Sequence, residues 1–225
     1  MSYPNASQRE FLDECGLAGD RSVETMHQLQ RDLERVNEDL NLTRITDAGE
    51  FWTLHVADSL SVGRVCGELL TDSLTVADVG CGGGFPIFPL AWANPSLRIT
   101  GIESRYRKAE FLKAEADALG LANVEAIHQQ AREAGQKPPH RQAYDRVLLR
   151  AVGTAGKMVR QVRGLLKPTP ASAIIFYKTP EAIDEEKPIA LREADKYGFE
   201  LDVSQPFSLP EDAGQRQFLI LRRTD

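Results

Sequence analysis

An apolar, β-branched run, Leu74-Thr75-Val76-Ala77-Asp78-Val79, drives straight into glycines at positions 80, 82, 83 and 84, followed by Phe85 and Pro86. Strand formers that stop at a glycine cluster predict a β-strand ending in a tight turn. Glycine takes φ > 0 without a Cβ clash and lets backbone come within contact distance of a ligand. Pro86 suits the first turn of a following helix, so the segment reads as a ligand-binding βα turn. The dinucleotide fingerprint G-x-G-x-x-G fails here at its third glycine. That position falls on Phe85 counted from Gly80 and on Ile87 counted from Gly82. No G-K-[ST] follows, so the lysine and hydroxyl that a nucleoside triphosphate and its magnesium ion require are missing.

The rest of the chain alternates in period around this turn. Strands are expected near 75–79, 98–102, 123–128, 144–149, 171–177, 199–204 and 216–222, with helices near 86–93, 105–119, 152–166 and 181–197. Alternating strand and helix means a mostly parallel sheet with right-handed crossovers. The last two strands are joined by Pro210-Glu211-Asp212-Ala213-Gly214, a hairpin signal that places an antiparallel strand at or near a sheet edge. Upstream, Met26, Leu29, Leu33, Val36 and Leu40 form one helical stripe with Ser22 as its expected N-cap, and Asp47 and Glu50 open a second helix over 47–65 in capping-box spacing. The expected organisation is a helical cap over 1–70 and one α/β unit over 71–225.

Within that frame, the D-V-G-x-G-x-G pattern resembles the cofactor turn of enzymes that bind S-adenosylmethionine, with Asp78, Gly80, Gly82 and Gly84 lining it. Glu103, at the end of the second expected strand and about twenty residues on, is placed to accept hydrogen bonds from a ribose. Gln130, Ala131 and Arg132 follow the third strand and are expected beside the adenine. Arg150 ends the fourth strand, where catalytic loops sit; a strand-end arginine pairing with Asp145 or Glu103 is the alternative. After that strand the stretch Leu149-Arg150-Ala151-Val152 has no [DN]-P-P-[YF] motif for amino-group methylation, and no Pro-Cys supplies a thiolate for C5 of a pyrimidine. Guanine N7 presents a lone pair and needs neither. His55 and Asp58, three apart on a helix, read as a hydrogen-bonded pair.

With 33 acidic against 27 basic residues the formal charge is -6, so nucleic acid can be bound only through a local basic patch. Arg105, Arg107 and Lys108 at the start of one helix, Lys157, Arg160 and Lys167 on the face of another with Arg163 alongside, and Lys178 at a strand end supply that patch; a merely solvated face is the alternative. Three scattered cysteines and four histidines without ligand spacing imply neither disulfide nor metal. No apolar run is long enough to span a bilayer, and Asp13, Glu14 and Asp20 stand where a leader would be basic, so a soluble, cytoplasmic monomer without membrane contact is expected.

Taken together, Asn41-Leu-Thr43, His55-Val-Ala-Asp-Ser-Leu60, Asp78-Val-Gly-Cys-Gly-Gly-Gly-Phe-Pro86 with Pro89-Leu90, Lys108 with Phe111-Leu112, Asn123-Val-Glu125 and Arg150-Ala151 resemble the glucose-inhibited division protein B family. These bacterial enzymes form 7-methylguanosine in small-subunit (16S) ribosomal RNA. The resemblance implies a class I methyltransferase fold, a seven-stranded Rossmann-like sheet with an N-terminal helical cap. It also implies S-adenosyl-L-methionine as cofactor and ribosomal RNA or the small ribosomal subunit as partner. It sets Gly80, Phe85, Ala131, Arg132 and Arg150 on cofactor-contacting positions, so Arg150 orients either cofactor or base. Leu54, Ala109, Gln130 and Thr179 depart from the family pattern, where arginine, a second basic residue, arginine and glycine are usual. Two other readings stay open: a small-molecule methyltransferase, for which 7% aromatic residues supply little lid, and an RNA-binding assembly protein with a retained cofactor pocket.

Overall fold

The structure, a computed structural model, describes residues 3–17, 22–45 and 47–224; Asp20 lies outside them. Helices α1 (Ala6–Glu14) and α2 (Glu24–Leu40) come first. A helical rod then runs from α3 (Ala48–Glu50) through a π-helical segment (Phe51–Ala57), α4 (Asp58–Leu60) and a 3₁₀ turn (Ser61–Arg64) to α5 (Glu68–Thr71). The sheet region alternates β1 (Thr75–Val79), α6 (Ile87–Ala93), β2 (Arg98–Glu103), α7 (Tyr106–Ala118), β3 (Val124–His128), α8 (Ala131–Ala134), β4 (Arg146–Arg150), α9 (Ala155–Val162), β5 (Ala173–Lys178) and α10 (Pro180–Lys196). The chain ends with β6 (Phe199–Val203), β7 (Phe207–Ser208) and β8 (Gln215–Arg223).

The strands are ordered β3-β2-β1-β4-β5-β8-β6, and β7 pairs β8 off this path. The first five are parallel; β8 runs antiparallel between β5 and β6. An eighth, two-residue strand thus adds to the seven expected, and the antiparallel strand lies one place in from the edge that β6 forms. Strand period puts alternate residues on opposite faces. Val76, Leu148, Ile175 and Ile220 pack with the N-terminal helices, α6 and α7, while Ala77, Val147, Leu149, Ile174 and Leu219 pack with α9 and α10. Phe11, Met26, Leu29, Trp52 and Leu60 from the N-terminal helices share one core with the first of these faces.

Several local expectations change. Ser22 does not cap α2: its N-cap position is Val23, and Ser22 Oγ only meets Glu24 N at 3.4 Å. Asp47 does cap α3, Oδ1 accepting from Gly49 N at 2.8 Å and Glu50 N at 3.0 Å. The helix expected over 152–166 is confined to Ala155–Val162, because Ala151 (φ 55°) and Gly153 (φ 53°) turn the chain through left-handed conformations first. Lys167 is therefore off its face, and its Nζ holds Asp145 at 2.8 Å.

Candidate active site

Because β1, β2 and β4 are adjacent and in register, the period that points Val76 at the N-terminal helices also points Asp78, Glu103 and Arg150 to that side. They meet where the strand order reverses between β1 and β4, the crevice in which open α/β sheets bind ligands. The glycines of the turn do different work. A Cβ on Gly84 (φ 95°) would lie 2.1 Å from Phe88, and one on Gly80 (φ 72°) 2.7 Å from Val152, so both are demanded by internal packing and backbone. Gly82 (φ 53°) faces open space, its nearest neighbour being Gly80 O at 3.9 Å.

Glu103 bridges the turn and its own loop. Its Oε2 accepts from Gly82 N at 3.2 Å and its Oε1 from Arg105 N at 2.9 Å. A carboxylate has about four acceptor sites, so this side chain keeps capacity for further donors. Asp78 is buried, and among the described residues neither of its oxygens has a hydrogen-bond partner. Burial pushes its carboxyl up to about 7, opposed only in part by the charge of Arg150. A buried carboxylate without hydrogen bonds beside an open glycine is a site that a cationic, hydroxyl-bearing ligand would complete.

The π-helical segment closes the crevice from the other side. His55 stacks on Phe85, centroids 4.0 Å apart and planes 6° apart, while its Nε2 meets Thr43 Oγ1 at 2.7 Å. Burial and the nearby Arg150 lower its pKa to about 3, so the ring is neutral. The expected pairing of His55 with Asp58 does not occur. The wider π turn rotates Asp58 toward the sheet, where Arg150 Nε donates to Oδ2 and Arg216 Nε to Oδ1, each at 2.8 Å. Arg150 also donates to Leu54 O at 2.5 Å and lies 5.9 Å from the Phe85 ring centroid. Its partner is thus Asp58, since Asp145 is taken by Lys167 and Thr75 at the opposite end of the strands and Glu103 by the glycine turn.

The other sequence-selected residues are spread more widely. Ala131 and Arg132 open α8, with Gln130 at its N-cap position, and Arg132 is exposed. Arg105, Arg107 and the half-buried Lys108, whose Nζ approaches Asn41 O at 3.4 Å, belong to the face packed against the N-terminal helices. Lys157 and Arg160 stand on α9, on the other face of the sheet. Lys178 turns inward: its Nζ donates to Glu186 at 2.7 Å and to Gly153 O at 3.0 Å, bracing the β4–α9 loop, so it does not extend a surface patch. Two departures from the family pattern have local reasons. Ala109 is fully buried in α7, where a second cation has no room, and Thr179 caps α10, its hydroxyl accepting from Ala182 N at 3.3 Å. Sequence reasoning missed Arg216, one of three arginines on the last strand, which nothing in the sequence sets apart from Arg222 and Arg223. It also missed Asp58 as a two-arginine anchor.

All three cysteines are buried. Burial pushes the thiols of Cys15 and Cys66 up to about 12 and that of Cys81 well above its usual range, so none is a ready thiolate. Among the described residues no three His, Cys, Asp or Glu side chains converge on a metal position, and no helix is long and apolar enough to cross a membrane.

Comparisons with known proteins agree with this geometry. A solved SAM-dependent methyltransferase from Aquifex aeolicus superposes with a TM-score of 0.56 at 14% identity, covering 85% of this chain and 97% of that one, which shows the fold. The small subunit ribosomal RNA methyltransferase G of Nostoc punctiforme is 36% identical over 208 residues, 90% of this chain and 84% of that protein. Its counterpart from Lactobacillus acidophilus is 33% identical over 191 residues, 85% of this chain and 78% of that protein. The family model described as rRNA small subunit methyltransferase G matches residues 22–201, which takes in the π-helical segment, the glycine turn, Glu103 and Arg150. The chain therefore belongs to the GidB family of small-subunit rRNA methyltransferases.

Proposed function

We propose that this protein is an S-adenosylmethionine-dependent methyltransferase that forms 7-methylguanosine in small-subunit ribosomal RNA. The observation that carries the cofactor reading is the unpartnered buried carboxylate of Asp78 beside the open face of Gly82, with Glu103 across the turn. Asp78 would accept from the α-ammonium and Glu103 from the ribose hydroxyls, while Gly82 leaves the space that a side chain would fill. Phe85, held flat by His55, would form one wall, and Ala131 and Arg132 another beside the adenine. The chemistry supplied by this cofactor, when bound, is an electrophilic methyl group on a sulfonium.

The chain's own part is then positioning and exclusion of water. Arg150, fixed by Asp58 and Leu54 O, presents a guanidinium at the end of β4 that would orient cofactor or base. The surroundings suit a nucleophile that carries its own lone pair. The thiols are far from ionised, and His55 is neutral with Nε2 engaged by Thr43. Guanine N7 asks for neither a thiolate nor a general base. Arg105, Arg107, Lys108, Lys157 and Arg160 are the exposed or half-exposed cations that would meet RNA phosphates.

The test is incubation of purified protein with labelled S-adenosylmethionine and undermethylated small subunits or their RNA, followed by nucleoside analysis. Label in 7-methylguanosine is the expected result. Label in 5-methylcytidine, in a methylated amino group or in a ribose would refute the product, and transfer only to a small metabolite would refute the RNA substrate.

A further inference from the structure

On the face of the sheet away from the N-terminal helices, α8 and α9 enclose a cavity of about 430 Å³ lined by Arg132, Arg141, Arg160, Arg163 and Arg223. A second cavity of about 580 Å³ shares Arg132, Arg160, Gln161 and Arg163 and adds Lys157, so the two form one continuous trough. No carboxylate lines either cavity. Within it, the one ion pair among the described residues is a loose contact of Arg160 with Glu193 at 3.5 Å.

Such a concentration of guanidinium groups is costly in a chain of formal charge -6, where acids were available to neutralise it. The trough is also preorganised. Tyr197 lies under the Arg163 guanidinium at 4.5 Å and Phe199 under that of Arg223 at 5.3 Å, which holds both cations in place and leaves their N–H edges for another partner. Arg223 Nε is buried without a hydrogen-bond acceptor, and burial together with the facing Arg163 lowers the pKa of its side chain. The floor is narrow backbone: a Cβ on Gly164 would lie 2.6 Å from Gly135 O, so the end of α8 and the turn after α9 touch there. The first cavity offers glutamines and glycines between its arginines and no aromatic face, and the aromatic ring lining the second, Tyr197, is covered by Arg163, which suits a phosphodiester backbone better than a free nucleotide.

We propose that this trough grips the phosphate backbone of the small-subunit rRNA on the segment leading away from the target nucleotide. The trough starts at Arg132, next to Ala131 in the first turn of α8 after β3, so a strand whose target base enters the crevice can continue along α8 and α9. The inference rests on the rRNA methyltransferase reading above and adds a surface that includes Arg141, Arg163 and Arg223.

The experiment compares the wild-type protein with a triple variant, Arg141→Gln, Arg163→Gln and Arg223→Gln, and with the triple lysine counterpart, which keeps the charge. RNA binding is measured at 50 and 200 mM salt, with KM and kcat for methylation of small-subunit RNA and cofactor affinity by calorimetry. Losing three phosphate contacts lowers the salt slope by about 2.1–2.7, so across that range wild-type affinity falls about 20–40-fold more than that of the glutamine variant. KM for RNA should rise in the glutamine variant while kcat at saturating RNA and cofactor affinity hold, and the lysine variant should keep the wild-type slope. A glutamine variant with the wild-type slope and KM overturns the proposal. So does one that loses affinity for inorganic pyrophosphate while its RNA slope stays unchanged, which would make the trough a small-phosphate site. Wild-type protein that neither binds nor methylates small-subunit RNA would bring down the functional reading and this inference with it, and the wild-type arm alone reveals that case.

Discussion

Replacing Asp78 by asparagine should stabilise the unliganded protein at alkaline pH while removing its affinity for the cofactor. The carboxyl stands at about 7 in the fold against an ordinary 3.8, a difference of about three pH units. At 1.36 kcal/mol per unit, the ionised side chain costs the folded state up to about 4 kcal/mol above pH 7. The sign follows from proton uptake. Between the two pKa values the native state holds a proton that the unfolded chain has lost, so this group's stabilising contribution is full below pH 3.8 and is lost as pH rises through 7. An asparagine has no such dependence, though burying its amide without partners offsets about 1–3 kcal/mol of the gain. Urea unfolding of both proteins at pH 5 and pH 8 isolates the effect, since every other titrating group cancels in the difference. The stability of the variant minus that of the wild type should increase by about 2–3 kcal/mol from pH 5 to pH 8. The same carboxylate must be ionised to accept from an ammonium, so wild-type cofactor affinity should fall about tenfold per unit below pH 7, with proton release on binding. A stability difference that does not change with pH, or a cofactor Kd flat from pH 5.5 to 8, would refute the reasoning.

Other substitutions separate packing from binding around the same turn. Gly84→Ala drives a methyl into Phe88 and should cost about 3 kcal/mol or more in thermal unfolding, whereas Gly82→Ala should cost only the ~1–2 kcal/mol of a left-handed alanine and act mainly on cofactor affinity; equal unfolding losses would show that the two glycines do the same job. Glu103→Ala should weaken cofactor binding by about 1–3 kcal/mol in calorimetry, and unchanged affinity would remove Glu103 from the site. Arg216→Ala leaves Asp58 Oδ1 without its donor and should cost about 1.5–3 kcal/mol of stability in denaturant while lowering methyl transfer, because Asp58, which holds Arg150, loses one of its two arginine anchors; wild-type turnover would show that this anchoring does not position Arg150. Lys157→Glu combined with Arg160→Glu should weaken RNA binding and flatten its salt dependence with cofactor affinity untouched, and a parental salt slope would mean that α9 carries only a solvated face.

The glycine turn, the strands around it and the alternation of strand and helix were legible in the sequence because they are local. A β-branched run, a glycine at a positive φ and a cap at Asp47 are each decided by a few neighbouring residues. Strand period also carried Asp78, Glu103 and Arg150 to one side of the sheet once their strands were known to be neighbours. What those side chains meet was decided only in three dimensions. Asp58 looked like a helical partner of His55, yet the π turn sends it to Arg150 and to Arg216, 158 positions away. Lys178 looked like a surface cation and is consumed by Glu186, while Arg141 and Arg223, unremarkable where they stand in the chain, converge with Arg163 on one trough. Sequence by itself determines backbone preferences, which act over a turn or a strand; the partner of a charge depends on which distant elements fold against it, and only the tertiary structure decides that.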